Sequence, residues 1–162
     1  PIGALITYGE ASELFYPGTH GSTFGGNALA TAVAGAVLDE IERADLVTNA
    51  RIRGGQVREG ILAIDSPLIA GCRGQGLLLG VALSRPVAKA VVAAAQEHGL
   101  IVNAANDDTI RIAPALTIGD VEIDEFLTLF TAALSTVTDA LMLDETSQPD
   151  ETSQPDHKEA AQ

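Results

Sequence analysis

Residues 18–33 read GTHGSTFGGNALATAV, four glycines, a histidine and the hydroxyl pair Ser22-Thr23 set directly before an Ala- and Leu-rich run. A helix N-terminus presents unpaired N–H groups and partial positive charge, and hydroxyls beside it add donors, so such a stretch can hold an anion. Gly21, Gly25 and Gly26 would let a ligand approach the backbone closely. The stretch matches neither G-x-x-x-x-G-K-[ST] nor G-x-G-x-x-G, which leaves nucleotide binding by those routes unsupported. Composition alone favours a plain helix cap and turn, with Asn27 as the N-cap. An anion pocket and one piece of a larger active site stay open beside it.

Working outward, PIGALITY at 1–8 is a short apolar run with β-branched residues, the pattern of a buried strand. After the glycine-rich loop, Asn27 opens a helix to about Arg43, and Ala44-Asp45 interrupts it. A second helical stretch places Leu46, Ile52, Val57 and Ile61 near helical spacing, although Gly54-Gly55 weakens it. LIAGCRGQGLLLGVALS reads as two strands around a turn at Gly74-Gln75-Gly76. PVAKAVVAAAQEHG is a helix with Pro86 in its first turn and Gly99 past its end. LIVNA and TIRIAPAL follow as short strands separated by Asn106, Asp107 and Asp108. Gly119-Asp120 opens a last helix over 121–137, with Ile123, Phe126, Leu127 and Phe130 as its apolar stripe. From Asp144 the composition turns polar, and ETSQPD occurs twice in tandem, at 145–150 and 151–156. Such a segment cannot bury enough apolar surface to order itself, and it reads as a disordered acidic tail.

The 162 residues suit one domain with a real core, built mainly from Ala, Val, Leu and Ile because aromatics make up only 4%. A net charge of −13 argues against nucleic acid or an anionic membrane as partner. The tail from Asp144 contributes −5 of it, leaving −8 on the body. The single Cys72 excludes an internal disulfide and suits a reducing compartment. No apolar run approaches the ~18 residues of a membrane span, and no signal-peptide pattern is present. A soluble, cytoplasmic protein is therefore expected. The chain opens at Pro1 inside an apparent strand. Removal of an initiator Met would account for this, but the pattern looks more like a cut chain.

HGSTFGGN within GTHGSTFGGNALA closely resembles a signature of the class III aminotransferases, which use pyridoxal 5′-phosphate (PLP). PIGALI resembles the segment shortly after the family's catalytic lysine, and RGQGLLLGV its R-G-x-G-L-x-x-G strand pair. GLIVNAANDDTIRIAPALTIGDVEIDEFL resembles the C-terminal segment of the acetylornithine aminotransferase branch. The resemblance runs in order from Pro1 to about Val137, with Ala28 and Ala115 standing where many members have Pro. It implies an α/β chain of fold type I. Residues 1–44 would be the C-terminal edge of the PLP-binding large domain, 45–143 the small C-terminal α/β domain, and 144–162 the tail. It further implies a homodimer in which Ser22 and Thr23 contact the phosphate of PLP bound in the neighbouring subunit. The substrates would be amino acids and 2-oxo acids, with an amino group moved from N-acetylornithine to 2-oxoglutarate in arginine biosynthesis. The catalytic lysine, and the aspartate that pairs with the cofactor's pyridine nitrogen, are expected upstream of Pro1. This chain alone is therefore predicted inactive. Sister enzymes acting on ornithine, succinylornithine or 4-aminobutyrate share most of these motifs. A non-catalytic phosphate-ligand or interaction module derived from the same fold is the alternative of a different class.

Among charged residues, Lys89 reads as a surface residue of an Ala/Val-rich helix and Lys158 lies in the tail. Neither offers the desolvated, fixed setting a nucleophilic lysine needs. By period two, Arg111 in TIRIAP points opposite to Ile110 and Ile112. A lone strand arginine is by default a solvent-facing or ion-paired residue. The resemblance instead implies that it faces the active site and binds a substrate carboxylate or pairs with a glutamate. His20 lacks the partners of a catalytic triad and reads as a brace for the loop. His98 suits a helix C-terminus, Arg73 beside Cys72 a structural contact at a strand end, and Asn103 lies near the presumed site. No His/Cys/Asp/Glu spacing reads as a metal site.

Overall fold

The computed structural model describes residues 2–147. The chain divides into two compact units, Pro1–Thr48 and Asn49–Gln162.

In the first unit, a 3-10 turn at Gly9–Glu13 precedes the glycine-rich loop, and α1 follows at Ala28–Arg43. Asn27 caps α1 as expected, its Oδ1 accepting from the Ala30 N–H at 3.0 Å. The helix ends at Ala44, and Asp45 takes a positive φ of 48° before α2 begins at Leu46. The strand expected at PIGALITY does not form: residues 2–8 have no ladder partner among the described residues, and all but Thr7 are exposed. An apolar run with β propensity becomes a strand only where a second backbone accepts its hydrogen bonds.

The second unit contains α2 from Asn49 onward (the whole helix spans Leu46–Ala63), β1 (Ile69–Gln75), β2 (Leu78–Leu83), α3 (Ala88–Glu97), β3 (Asn103–Asn106), β4 (Thr109–Ile112) and α4 (Asp120–Ser147). The strands form one antiparallel sheet in the order β1-β2-β4-β3. Leu79, Val81 and Leu83 of β2 and Ile110 and Ile112 of β4 share its buried face. They pack with Val57 and Ile61 of α2, Val91 and Ala95 of α3, and Phe130, Leu134 and Val137 of α4. The stacked rings of Phe126 and Phe130, 5.4 Å between centroids, are the aromatic residues of this core among the described residues.

Glycine in α2 turns out to be a packing requirement. A Cβ on Gly54 would run into the Gly76 carbonyl, and one on Gly60 into the Leu127 side chain. The β1–β2 turn falls one residue later than expected, at Gly76-Leu77, because Gln75 still pairs with Leu78. Gly76 has a φ of 54° while Leu77 stays negative, the requirement of a type II′ hairpin. Arg58 of α2 donates to the carbonyls of Cys72 and Gly74 on the free edge of β1. Ile52, expected on the buried stripe of α2, is 47% exposed.

α3 ends as the sequence predicts: Gly99, at φ 82°, lets Leu100 N–H reach the Ala95 carbonyl at 2.8 Å and Gly99 N–H reach Gln96 at 3.0 Å. LIVNA pairs less than expected, since β3 starts only at Asn103, and Asp107-Asp108 alone form the turn to β4. α4 runs ten residues past the expected end, through 144–147, where the tail was expected to begin. The remainder of the tail lies outside the described residues. Over Asp120–Asp144 this helix is also long and apolar enough to cross a membrane, contrary to the expectation from composition. Ile123, Phe126, Phe130, Ala133, Leu134 and Val137 are buried within the unit and form the core face of α4, while Val121, Met142 and Leu143 are exposed.

Candidate functional site

Within the first unit, every residue from Gly9 to Leu29 is exposed. Thr19 turns back on Tyr16, its hydroxyl donating to the Tyr16 carbonyl at 2.7 Å and accepting from the Tyr16 N–H at 3.2 Å. His20 packs its ring against Phe15, with centroids 5.8 Å apart, which suits the expected bracing role. Asn27 also donates to the Phe24 carbonyl at 2.8 Å, so one side chain holds both the loop end and the helix start. Ser22 and Thr23 by contrast make no hydrogen bond through their hydroxyls among the described residues. A Cβ on Gly25 would come within 2.6 Å of Ser22 Oγ, so glycine there is what leaves that hydroxyl its place. Two free hydroxyls, glycines around them and a capped helix start fit a phosphate group.

The second unit holds the other candidate. The register aligns Arg73 of β1 with Gly80 of β2, Gly80 with Arg111 of β4, and Arg111 with Asn103 of β3. These four positions form one row across the sheet, on the face opposite the core. Arg111 is exposed between buried Ile110 and Ile112, as strand alternation predicts, and its guanidinium makes no hydrogen bond or ion pair among the described residues. Arg73 lies inside β1 and not at its end; its Nη2 donates to Thr109 Oγ1 at 3.2 Å. To get there it crosses Gly80, where a Cβ would sit 3.7 Å from Arg73 Cγ and 3.3 Å from Thr109 Cγ2. Thr109, 4% exposed, passes its hydroxyl proton towards Asp108 Oδ1 at 2.9 Å. Arg111 lines a mainly apolar cavity of about 240 Å³ together with Val57, Leu100, Pro114, Phe126 and the carboxylate-bearing Glu122.

The remaining candidates have structural surroundings. Lys89 is exposed and pairs with Asp107 at 3.3 Å. His98 lies 3.1 Å from the Thr136 hydroxyl, joining α3 to α4. Burial pushes the Cys72 thiol above its ordinary pKa, away from the thiolate a nucleophile would need. No group of three or more metal-ligating side chains occurs among the described residues. Sequence reasoning passed over Thr109 and Gly80, since a threonine and a glycine in short strands carry no signal until the register is known.

The fold belongs to a known class of enzyme domain. The family described as class III aminotransferases matches residues 1–134, and the chain belongs to it. Class III aminotransferases are PLP-dependent α/β proteins of fold type I, which is the fold class and cofactor expected from the motifs. Acetylornithine aminotransferase of Mycobacterium tuberculosis is 46% identical over 140 residues, 86% of this chain and 35% of that protein. The enzyme of the same name from Streptomyces coelicolor is 45% identical over 127 residues, 78% of this chain and 32% of its own length. Among solved structures, acetylornithine aminotransferase from Elizabethkingia anophelis aligns with a TM-score of 0.68 at 32% identity, over 77% of this chain and 34% of that one. Ornithine aminotransferase from Toxoplasma gondii aligns at 0.69 and 31%, over 80% and 32%. The chain thus spans about a third of the length of the relatives it matches.

Proposed function

We propose that this chain is the C-terminal portion of a PLP-dependent aminotransferase that moves an amino group from N-acetylornithine to 2-oxoglutarate. The observation that carries the reading is the loop HGSTFGGN, folded so that the Ser22 and Thr23 hydroxyls are free beside the capped start of α1. In this reading the two hydroxyls and the loop N–H groups hold the phosphate of a cofactor bound in a neighbouring subunit of a homodimer. PLP, when bound, supplies the electron sink for transamination, and the protein supplies orientation and electrostatics. Arg111 offers its unpartnered guanidinium to a substrate carboxylate in a planar two-point contact, with Asn103 beside it and an apolar wall next to it. Lys89, exposed and ion-paired, does not serve as the catalytic lysine, so this chain by itself is not expected to turn substrate over. We place the protein in the cytoplasm.

The test uses the native protein that carries this chain. Joint Ser22→Ala and Thr23→Val substitution should weaken PLP binding at least ~tenfold, the scale of two hydrogen bonds to a charged group. Unchanged PLP affinity would remove the phosphate role of the loop. The donor is decided by comparing kcat/KM for N-acetylornithine, ornithine, succinylornithine and 4-aminobutyrate. A preference for any of the last three would make this a sister enzyme.

A further inference from the structure

The backbone of Arg111 is fixed from both sides of β4, by Gly80 of β2 and by Asn103 of β3. Its guanidinium is not fixed that way, because it lies several rotatable bonds beyond the backbone and takes its direction from the groups around it. Part of that surrounding wall comes from the stretch between β4 and α4. Ala113, Pro114 and Ile118 line the same cavity as Arg111, with Glu122 of the first turn of α4. Among the described residues no strand pairs with 113–119. A short turn shapes it, the Ile118 N–H donating to the Ala115 carbonyl at 3.1 Å.

A polar tie to α2 holds this stretch in place. Asn49 Nδ2 donates to the Leu116 carbonyl at 2.7 Å and to the Ile118 carbonyl at 3.1 Å. One carboxamide thus grips two carbonyls two residues apart, which sets the bend between them. Asn49 is itself held, since Arg53 Nε donates to its Oδ1 at 3.3 Å. Arg53 is anchored in turn by Gln56 Oε1 at 2.8 Å and by the Asp120 carboxylate. Gln56 closes the network by donating to Asp120 Oδ1 at 3.0 Å. The sheet therefore fixes one end of the stretch, the bonds to Asp120 fix the other, and Asn49 fixes the middle.

We propose that Asn49 is a positioning residue, which by gripping the Leu116 and Ile118 carbonyls sets the wall that aims the Arg111 guanidinium at a substrate carboxylate. The inference rests on the reading of Arg111 as a carboxylate-binding residue and adds the group that orients it. Asn49 acts through the wall and does not touch the ligand.

The experiment uses the native protein that carries this chain and measures glutarate binding by calorimetry, with KM for 2-oxoglutarate and kcat beside it. Arg111→Lys keeps the charge but loses the planar two-point contact, and should weaken glutarate roughly tenfold. Unchanged affinity there would remove the carboxylate role of Arg111, and this inference with it. Given that loss, Asn49→Asp decides the role of Asn49, because Asp keeps the size and the acceptor for Arg53 but has no N–H for the two carbonyls. It should weaken glutarate and raise KM roughly fivefold, with kcat within about twofold of the parent. Added to Arg111→Lys, it should cost less than about twofold more, since the contact it aims is already gone. Should Asn49→Asp not fold, Arg53→Met releases Asn49 Oδ1 and should weaken glutarate roughly twofold. Unaltered glutarate affinity in the folded variant would overturn the proposal. So would a full fivefold loss that persists beside Arg111→Lys, or a kcat that falls as far as the affinity, either of which would make Asn49 a general support of the fold.

Discussion

Among residues 2–48 the only buried side chain is Leu46, while all the other buried apolar side chains of the described chain belong to residues 49–147. The first region nevertheless contains Phe24 at 82% exposure and, on α1, Leu29, Val33, Val37 and Leu38 all above half exposed. Its order comes from short-range bonds, such as Asn27 to Phe24 and Ala30 or Thr19 to Tyr16. The second region is held by a core that joins three helices to one sheet face. A recognisable motif and a self-supporting core are thus separate properties of a sequence. Apolar surface left exposed beside a motif is what an association surface looks like, in keeping with the proposed homodimer.

The contrast is broken or sharpened by four substitutions. Phe130→Ala removes a fully buried ring and should cost about 4 kcal/mol in urea unfolding, whereas Phe24→Ala should change stability by less than about 0.5 kcal/mol. Equal effects would contradict the division. Gly54→Ala places a methyl against the Gly76 carbonyl and should lower stability by about 2 kcal/mol despite the better helix propensity of alanine; a stabilised variant would show that the close approach does not persist in solution. Asn27→Ala should cost about 1 kcal/mol, read as faster amide exchange at the start of α1 with the second region unaffected.

The smallest effect concerns acid. The Gln56 amide, and then the Arg53 guanidinium, hold the Asp120 carboxyl below its ordinary pKa. A folded-state pKa below the unfolded one means that the contribution is present above about pH 4 and is lost as pH falls through the lower, folded value. Asp120→Asn should therefore lower stability slightly at neutral pH and flatten its decline below about pH 4. A decline as steep as that of the parent would assign the acid sensitivity to other carboxylates.

Much of this was legible in the chain itself where the signal is local. The N-cap at Asn27, the glycine stop at Gly99 and the outward direction of Arg111 follow from backbone hydrogen-bonding needs and strand period over a few residues. The motif HGSTFGGN and its companions placed the family as well. The readings that failed had no local determinant. PIGALITY has strand composition but no partner strand among the described residues, and LIVNA pairs only from Asn103 onward. Gly54-Gly55 looked like a weakness in α2, but the Gly76 carbonyl stands against Gly54, whereas a Cβ on Gly55 would meet nothing within 4 Å.

The sequence by itself determined the family, the ends of most elements and which side of β4 carries Arg111, because each depends on residues adjacent in the chain. Only the tertiary structure decided that Arg73, Gly80, Arg111 and Asn103 stand in one row. Periodicity states the face of a strand but not its neighbour, and the order β1-β2-β4-β3 arises from how four strands and three helices together bury one core.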